Sequence, residues 1–314
     1  MRNFKLVMPL LFSGLVIAAC SGSSRSITAD EACADAATAV CDKYNACAPL
    51  LIRVSYGDVA TCNTRAKPDC KAALAAPNTS NTPSRTAACA NDLKNLSCND
   101  LVGGVSPESC LPTKGGVANG GACGDDSQCA STFCGKAGDK QCGSCAVAPS
   151  LGGACVNDRC PSGLDCVSNV CVKPGGSGAS CDAKQPCQGT LGCFQGKCTA
   201  LGKAGDACDT SGNNPTAPNC DIVFQGVVCA ASKKCEVLKV VNAGEPCGFL
   251  EGTVIVCGNN TYCKHDAGKA DGVCAAKAKD GAGCNVDNTK GPECEAPAKC
   301  LDGVCQLAAP ERCK

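Results

Sequence analysis

The sequence predicts a small disulfide-rich fold, with an N-terminal disulfide-stapled α-helical domain followed by tandem cysteine-rich β-hairpin and loop repeats. Three observations carry this. Cysteine supplies 35 of 314 residues, above the roughly 8–10% at which an exported chain reads as a disulfide scaffold. Apolar residues recur at helical spacing before residue 110 and lose that period after it. Beyond residue 120, a Gly stands three residues before the first Cys of each repeat.

Residues 1–19 place Arg2 and Lys5 before the uncharged run Leu6 to Ala19 and close on small residues. That is the layout of a secretory signal peptide. The run is shorter than the roughly 20 residues a spanning helix needs. The junction Ile17-Ala18-Ala19-Cys20 resembles the lipobox of bacterial lipoproteins. The resemblance implies cleavage before Cys20, a diacylglycerol thioether on its sulfur and a palmitate-like acyl chain on its new amino group. Several chains anchor stably where one does not, so membrane attachment through the N-terminal lipid is expected. Ser21 in place of Asp implies sorting to the outer membrane, on its cell-surface or periplasmic face. Residues 20–27 are then the lipidated Cys and a Ser/Gly tether.

Residues 28–110 read as a helical eight-cysteine domain. Thr28 to Glu31 has the form of a capping box. Cys33, Ala36, Ala37, Val40, Cys41, Tyr44 and Cys47 then follow on one helical face. Tyr56–Lys67 and Pro68–Ala75 are expected as two further short helices. Thr82-Pro83 starts another, with Thr as cap and Pro in the first turn. Cys33, Cys41, Cys47, Cys62, Cys70, Cys89, Cys98 and Cys110 suffice for four internal bridges.

Residues 111–120 form a Pro/Gly linker, and residues 121–305 hold six tandem cysteine-rich units. Their opening pairs are Gly120/Cys123, Gly152/Cys155, Gly178/Cys181, Gly205/Cys208, Gly244/Cys247 and Gly281/Cys284. A Gly at a fixed offset supplies a tight turn, expected to bring each unit back beside its predecessor. Five units carry four cysteines each: Cys155, Cys160, Cys166, Cys171; Cys181, Cys187, Cys193, Cys198; Cys208, Cys220, Cys229, Cys235; Cys247, Cys257, Cys263, Cys274; and Cys284, Cys294, Cys300, Cys305. Ser168-Asn169, Gln195-Gly196 and Asp302-Gly303 suit two-residue hairpin turns. A first-to-third and second-to-fourth pairing would brace each hairpin to its incoming loop, but four cysteines allow three connectivities, and all three stand at this point. The first unit has five cysteines, Cys123, Cys129, Cys134, Cys142 and Cys145, and the tail, 306–314, has the lone Cys313. One bridge must therefore cross unit boundaries, either into the next unit or back from the tail.

The spacing from Cys123 to Cys171, including the paired Cys142 and Cys145, resembles the N-terminal cysteine-rich module of Dickkopf proteins. It departs from that module in lacking an adjacent Cys-Cys pair near Cys160, so the module's bridges are not carried over, and neither is its signalling role. The whole layout is similar to cysteine-rich lipoproteins of myxobacteria and related bacteria, a family with no assigned reaction.

Composition narrows the chemistry. With 3 Tyr, 6 Phe and no Trp, the chain lacks the aromatic bulk that fills ordinary cores. Its charge, 29 basic against 29 acidic, forms no basic stripe, so nucleic acid is excluded as a partner. His265 is the sole histidine, which excludes a histidine-based triad or multi-histidine metal site within one chain. No Gly-rich phosphate loop or nucleophile elbow is present, no cofactor is expected, and an enzyme is disfavoured. Cys142-x2-Cys145 is the one CxxC and the natural place to look for zinc or redox chemistry. Even parity after Cys20 favours disulfides throughout. Asp206/Asp209 and Asp287/Asn288 lack a calcium-loop signature.

The sequence therefore implies a non-enzymatic, membrane-anchored surface lipoprotein. The helical domain is expected nearest the bilayer, with the units projecting outward as a semi-rigid string. A protein or polysaccharide partner would be met through the inserts of variable length, Asp209–Asn219, Gly248–Val256 and Asn285–Glu293. Protease inhibition and thiolate zinc binding are the competing readings.

Overall fold

The computed structural model describes residues 26–138, 140–211, 215–250, 253–287 and 289–313. The leader, the lipobox and Cys20 lie outside the described residues.

Five helices occupy the N-terminal region: α1 (Ala29–Cys47), α2 (Pro49–Ser55), α3 (Val59–Ala75), α4 (Pro83–Leu93) and α5 (Cys98–Val102). Thr28 caps α1 through a full capping box, its hydroxyl accepting from Glu31 N at 3.2 Å while Glu31 Oε2 accepts from Thr28 N at 2.9 Å. Such a cap is worth about 1 kcal/mol. The buried face of α1 is Ala32, Cys33, Ala37, Ala39, Cys41 and Cys47, so small side chains and sulfur line it. Thr82 caps α4 with Pro83 in its first turn, as the sequence indicated.

The region between Tyr56 and Ala75 differs from expectation. It is one helix, not two, beginning after the Asp58 cap and running straight through Pro68. An interior proline costs a helix about 3 kcal/mol. Here α3 is pinned to α1 on both sides of it, by Cys41–Cys62 and Cys33–Cys70. Cys47–Cys98 ties α1 to α5, and Cys89–Cys110 closes the domain. The eight cysteines pair among themselves.

Each four-cysteine unit pairs its first Cys with its third and its second with its fourth: 155–166 and 160–171, 181–193 and 187–198, 208–229 and 220–235, 247–263 and 257–274, 284–300 and 294–305. The first unit keeps this pattern with Cys123–Cys134 and Cys129–Cys145. Its spare, Cys142, joins Cys313, so the tail folds back. The hairpin turns have positive φ at both central residues, Ser168-Asn169, Gln195-Gly196 and Asp302-Gly303, the geometry that matches strand twist.

The repeating Gly has one job in all six units. Gly120, Gly152, Gly178, Gly205, Gly244 and Gly281 sit at φ between +79° and +89°. Each donates its N–H to the carbonyl of the last framework Cys of its own unit, at 2.8 Å in every case. The residue before the first Cys then pairs antiparallel with the residue before the last: Ala122↔Ser144, Ala154↔Val170, Ser180↔Lys197, Ala207↔Lys234, Pro246↔Val273 and Gly283↔Val304. The turn thus lays a unit's opening onto its own last strand rather than beside its predecessor. Two stacked disulfides fill the space behind, and the buried clusters of the units are made largely of cysteine.

The units do not project outward as a string; they wrap around the helices. Gln128 Nε2 of the first unit donates to Pro77 O at 2.9 Å. Ser162 Oγ of the second donates to Gly104 O at 2.9 Å. Thr190 Oγ1 of the third donates to Asn99 Oδ1 at 2.9 Å. Gly226 of the fourth packs on Leu50, and Asn259 N of the fifth donates to Arg53 O at 3.0 Å. The sixth is held by Arg65, which clamps Asp280 with both terminal nitrogens, at 2.6 and 2.7 Å, and reaches Ala296 O and Glu295 O at 3.0 Å. Cys142–Cys313, 171 residues apart, then seals a ring.

Two outcomes follow from this geometry. Gly205→Ala lowers stability by about 1–2 kcal/mol, the cost of a left-handed backbone with a Cβ, because a Cβ there meets no atom within 4 Å and the effect is purely conformational; non-reducing urea denaturation measures it. Asp280 is held below the usual carboxylate range by hydrogen bonding to Arg65. Its contribution is complete above the ordinary Asp pKa and is lost as pH falls through the depressed value. Asp280→Asn should therefore cost about 0.5–1 kcal/mol at neutral pH, and its denaturation midpoint should converge with that of the native protein in strong acid.

Candidate recognition surface and sulfur clusters

Stacking two bridges per unit brings sulfur atoms close together. In groups such as Cys155, Cys160 and Cys166, or Cys208, Cys220 and Cys229, the sulfurs lie within 4.8 Å of one another. Zinc takes thiolates, and these sulfurs are spent in S–S bonds. Reduction would turn the same groups into thiols at metal-binding separation. Cys142 and Cys145 are not paired with each other: Cys142 goes to Cys313 and Cys145 to Cys129, so the CxxC is not a dithiol redox pair. His265 lies just beyond the strand Thr261–Lys264, with Nδ1 3.3 Å from Asp266 O.

Of the three variable inserts, two are loops fixed by their own carboxylates. In Asp209–Asn219, where 212–214 lie outside the described residues, Asp209 accepts from Thr216 N and Ser211 N, each at 2.9 Å, and from Thr216 Oγ1 at 3.0 Å. These bonds, the backbone N–H of Thr216 first, hold its carboxyl far below its ordinary range. In Asn285–Glu293, Asp287 accepts from Thr289 Oγ1 at 2.7 Å and Thr289 N at 3.0 Å and pairs with Lys290 at 3.0 Å. Its pKa falls to about 2, with the Thr289 side chain the leading cause.

The third insert is not a loop. Apart from 251–252, which lie outside the described residues, the residues of Gly248–Val256 belong to two paired strands, Pro246–Leu250 against Thr253–Cys257. The second strand also pairs in parallel with Lys239–Val241. Val254, Ile255 and Val256 are β-branched or apolar residues suited to a strand, and together with Asp271–Ala276 and Thr261–Lys264 they complete a five-stranded sheet.

Apolar side chains stand exposed on or beside the inserts. Val286 is 80% exposed and Phe249 59%, with Ile222 and Val237 flanking the first loop's unit. Val147 at 72% and Leu151 at 64% stand on the connector between the first two units. Sequence reasoning passed over this last pair; the available signal was an apolar residue in a stretch with no cysteine frame to bury it. Among the described residues no helix is long and apolar enough to cross a membrane. No protein-family profile, curated protein or solved structure matches this chain.

If Asp209 organises its loop, Asp209→Ala should accelerate hydrogen exchange at the Ser211 and Thr216 amides by at least tenfold while leaving the amides of Cys229 and Cys235 unchanged.

Proposed function

We propose that this protein is a lipid-anchored envelope protein, tethered through Cys20, that works by binding a protein or polysaccharide rather than by catalysis. The reading rests on one observation above all. The disulfide frame of the units repeats, while the inserts between first and second cysteines change in length and present apolar side chains such as Val286 and Phe249 to solvent. Burying such side chains on a partner gains roughly 25 cal/mol per Å², and aromatic anchors dominate many interfaces. A braced frame keeps contact groups in their bound positions, which lowers the ordering cost of association.

The sulfur clusters support a second reading, thiolate metal binding by a reduced form. It predicts many titratable thiols in protein denatured without reductant, whereas the binding scaffold predicts none among the 34 cysteines that follow Cys20.

The anchor and the recognition surface are separable by experiment. Cys20→Ala should move the protein from the membrane pellet to the soluble fraction. In the Cys20→Ala protein, Phe249→Ser combined with Val286→Ser should reduce retention on isolated cell-envelope material at least tenfold, with all bridges intact by mass. Unchanged retention removes the inserts from the proposal. Deleting Gly248–Val256 is not a usable control, because it removes part of a five-stranded sheet.

A further inference from the structure

Where the ring is sealed, a cavity of about 260 Å³ opens between pieces of chain far apart in sequence. The first unit contributes Lys136 and Lys140, the sixth contributes Lys299 and Leu301, the tail contributes Pro310, and α3 contributes Asp69. The volume is about nine times the ~30 Å³ share of one water, and below the ~300 Å³ at which drug-sized pockets begin. It suits a molecule of a few heavy atoms to about ten.

The lining has a specific chemistry. Among the described residues Lys136, Lys140 and Lys299 line it together with Asp69, and Lys299 has a partner of its own. Lys136 is more than half buried, and its Nζ has a neutral partner, Gly124 O at 2.9 Å. Burial first, and the nearby Arg159 next, push its pKa down against the opposing pull of Asp125 and Asp126, the direction expected of a cation taken out of water. The Asp69 carboxyl is supported by the Ala308 backbone N–H and the Arg65 charge, but one of its oxygens is not. Its Oδ1 is buried and has no hydrogen-bond partner, an arrangement that costs about 1–3 kcal/mol when left unmade, and burial raises its carboxyl pKa. The remaining wall sets Gln141 and Gln306 among apolar residues, Leu301 and Pro310 part of them. One end of the cavity chemistry asks for an anion, the other for an N–H or ammonium donor, and the walls for an aliphatic group.

We propose that the seam cavity binds the α-amino acid unit, with carboxylate toward Lys136 and Lys140, amino group toward Asp69, and aliphatic side chain against Leu301 and Pro310. A free amino acid and the carboxyl end of a short peptide share this chemistry. The site uses none of the insert residues, and it exists only in the closed ring, because Cys142–Cys313 holds the tail wall against the first unit. Gln141 Nε2 to Leu307 O at 3.0 Å reinforces the same joint.

The test is calorimetry on the oxidised mature protein with five probes: L-leucine, L-alanyl-L-leucine, L-leucinamide, N-acetyl-L-leucine and inorganic phosphate. Leucine or the dipeptide should bind saturably, and whichever binds tighter identifies the free amino acid or the peptide end as the source. Leucinamide, lacking the carboxylate, should bind at least tenfold more weakly. Lys136→Met should weaken the preferred probe at least tenfold. Lys140→Gln, an exposed change that leaves the frame intact, should weaken it at least threefold. Asp69→Asn should weaken leucine more than N-acetyl-leucine. Absence of saturable binding to leucine and dipeptide, equal binding of phosphate, or indifference to Lys140→Gln in protein with all bridges formed would each overturn the assignment.

Discussion

Two crossed disulfides, first to third and second to fourth, are the constraint from which every repeat is built. A segment of some thirty residues cannot bury enough apolar surface to fold alone, and below about 40 residues cross-links or metals usually take over. In these units the buried residues are chiefly the cysteines themselves. Bridges such as 155–166 and 160–171 close loops 11 residues apart, each worth roughly 3 kcal/mol in the chain-entropy description. Because the two loops overlap, each bridge shortens the free loop that the other must close, and their contributions do not simply add.

The crossed bridges fix a small sheet but leave its opening strand to be docked, and the turn geometry repeated at Gly in all six units completes that step. With the opening strand hydrogen-bonded to the last one, a unit presents a constant frame and a single variable insert. Contacts to the helical domain then set the units' places. Many of those contacts end on backbone carbonyls, Pro77, Gly104, Arg53, Ala296 and Glu295 among them. Arg65 adds a bidentate ion pair and also reaches two of these carbonyls, and Thr190 meets the Asn99 side chain instead.

This division explains what could be read in the residues. The Thr28 cap, the Thr82-Pro83 start, the positive-φ hairpin turns and the need for one bridge across unit boundaries are local or arithmetical, and each is visible in the chain, whereas which cysteine is spare and where it goes is not. The unbroken α3 was hidden because Pro68 is a local breaker, overruled by bridges at Cys62 and Cys70 that no local signal pairs with α1. The wrapping of the units was hidden because carbonyl oxygens are the same in every residue. The inserts were legible as gaps between cysteines, yet Gly248–Val256 needed attention to its Val-Ile-Val run. The seam cavity was beyond reach, since Asp69, Lys136 and Lys299 meet only after the ring closes.

The insert Asp209–Asn219 lies between Cys208 and Cys220, whose partners, Cys229 and Cys235, both follow it. A protease that cuts there leaves Cys208 upstream still bonded to Cys229 downstream. The two halves stay one molecule, and the clasp at the seam provides a second covalent route between them. Such a chain tolerates a nick there without shedding its distal half, so the cut costs it a loop and not its continuity.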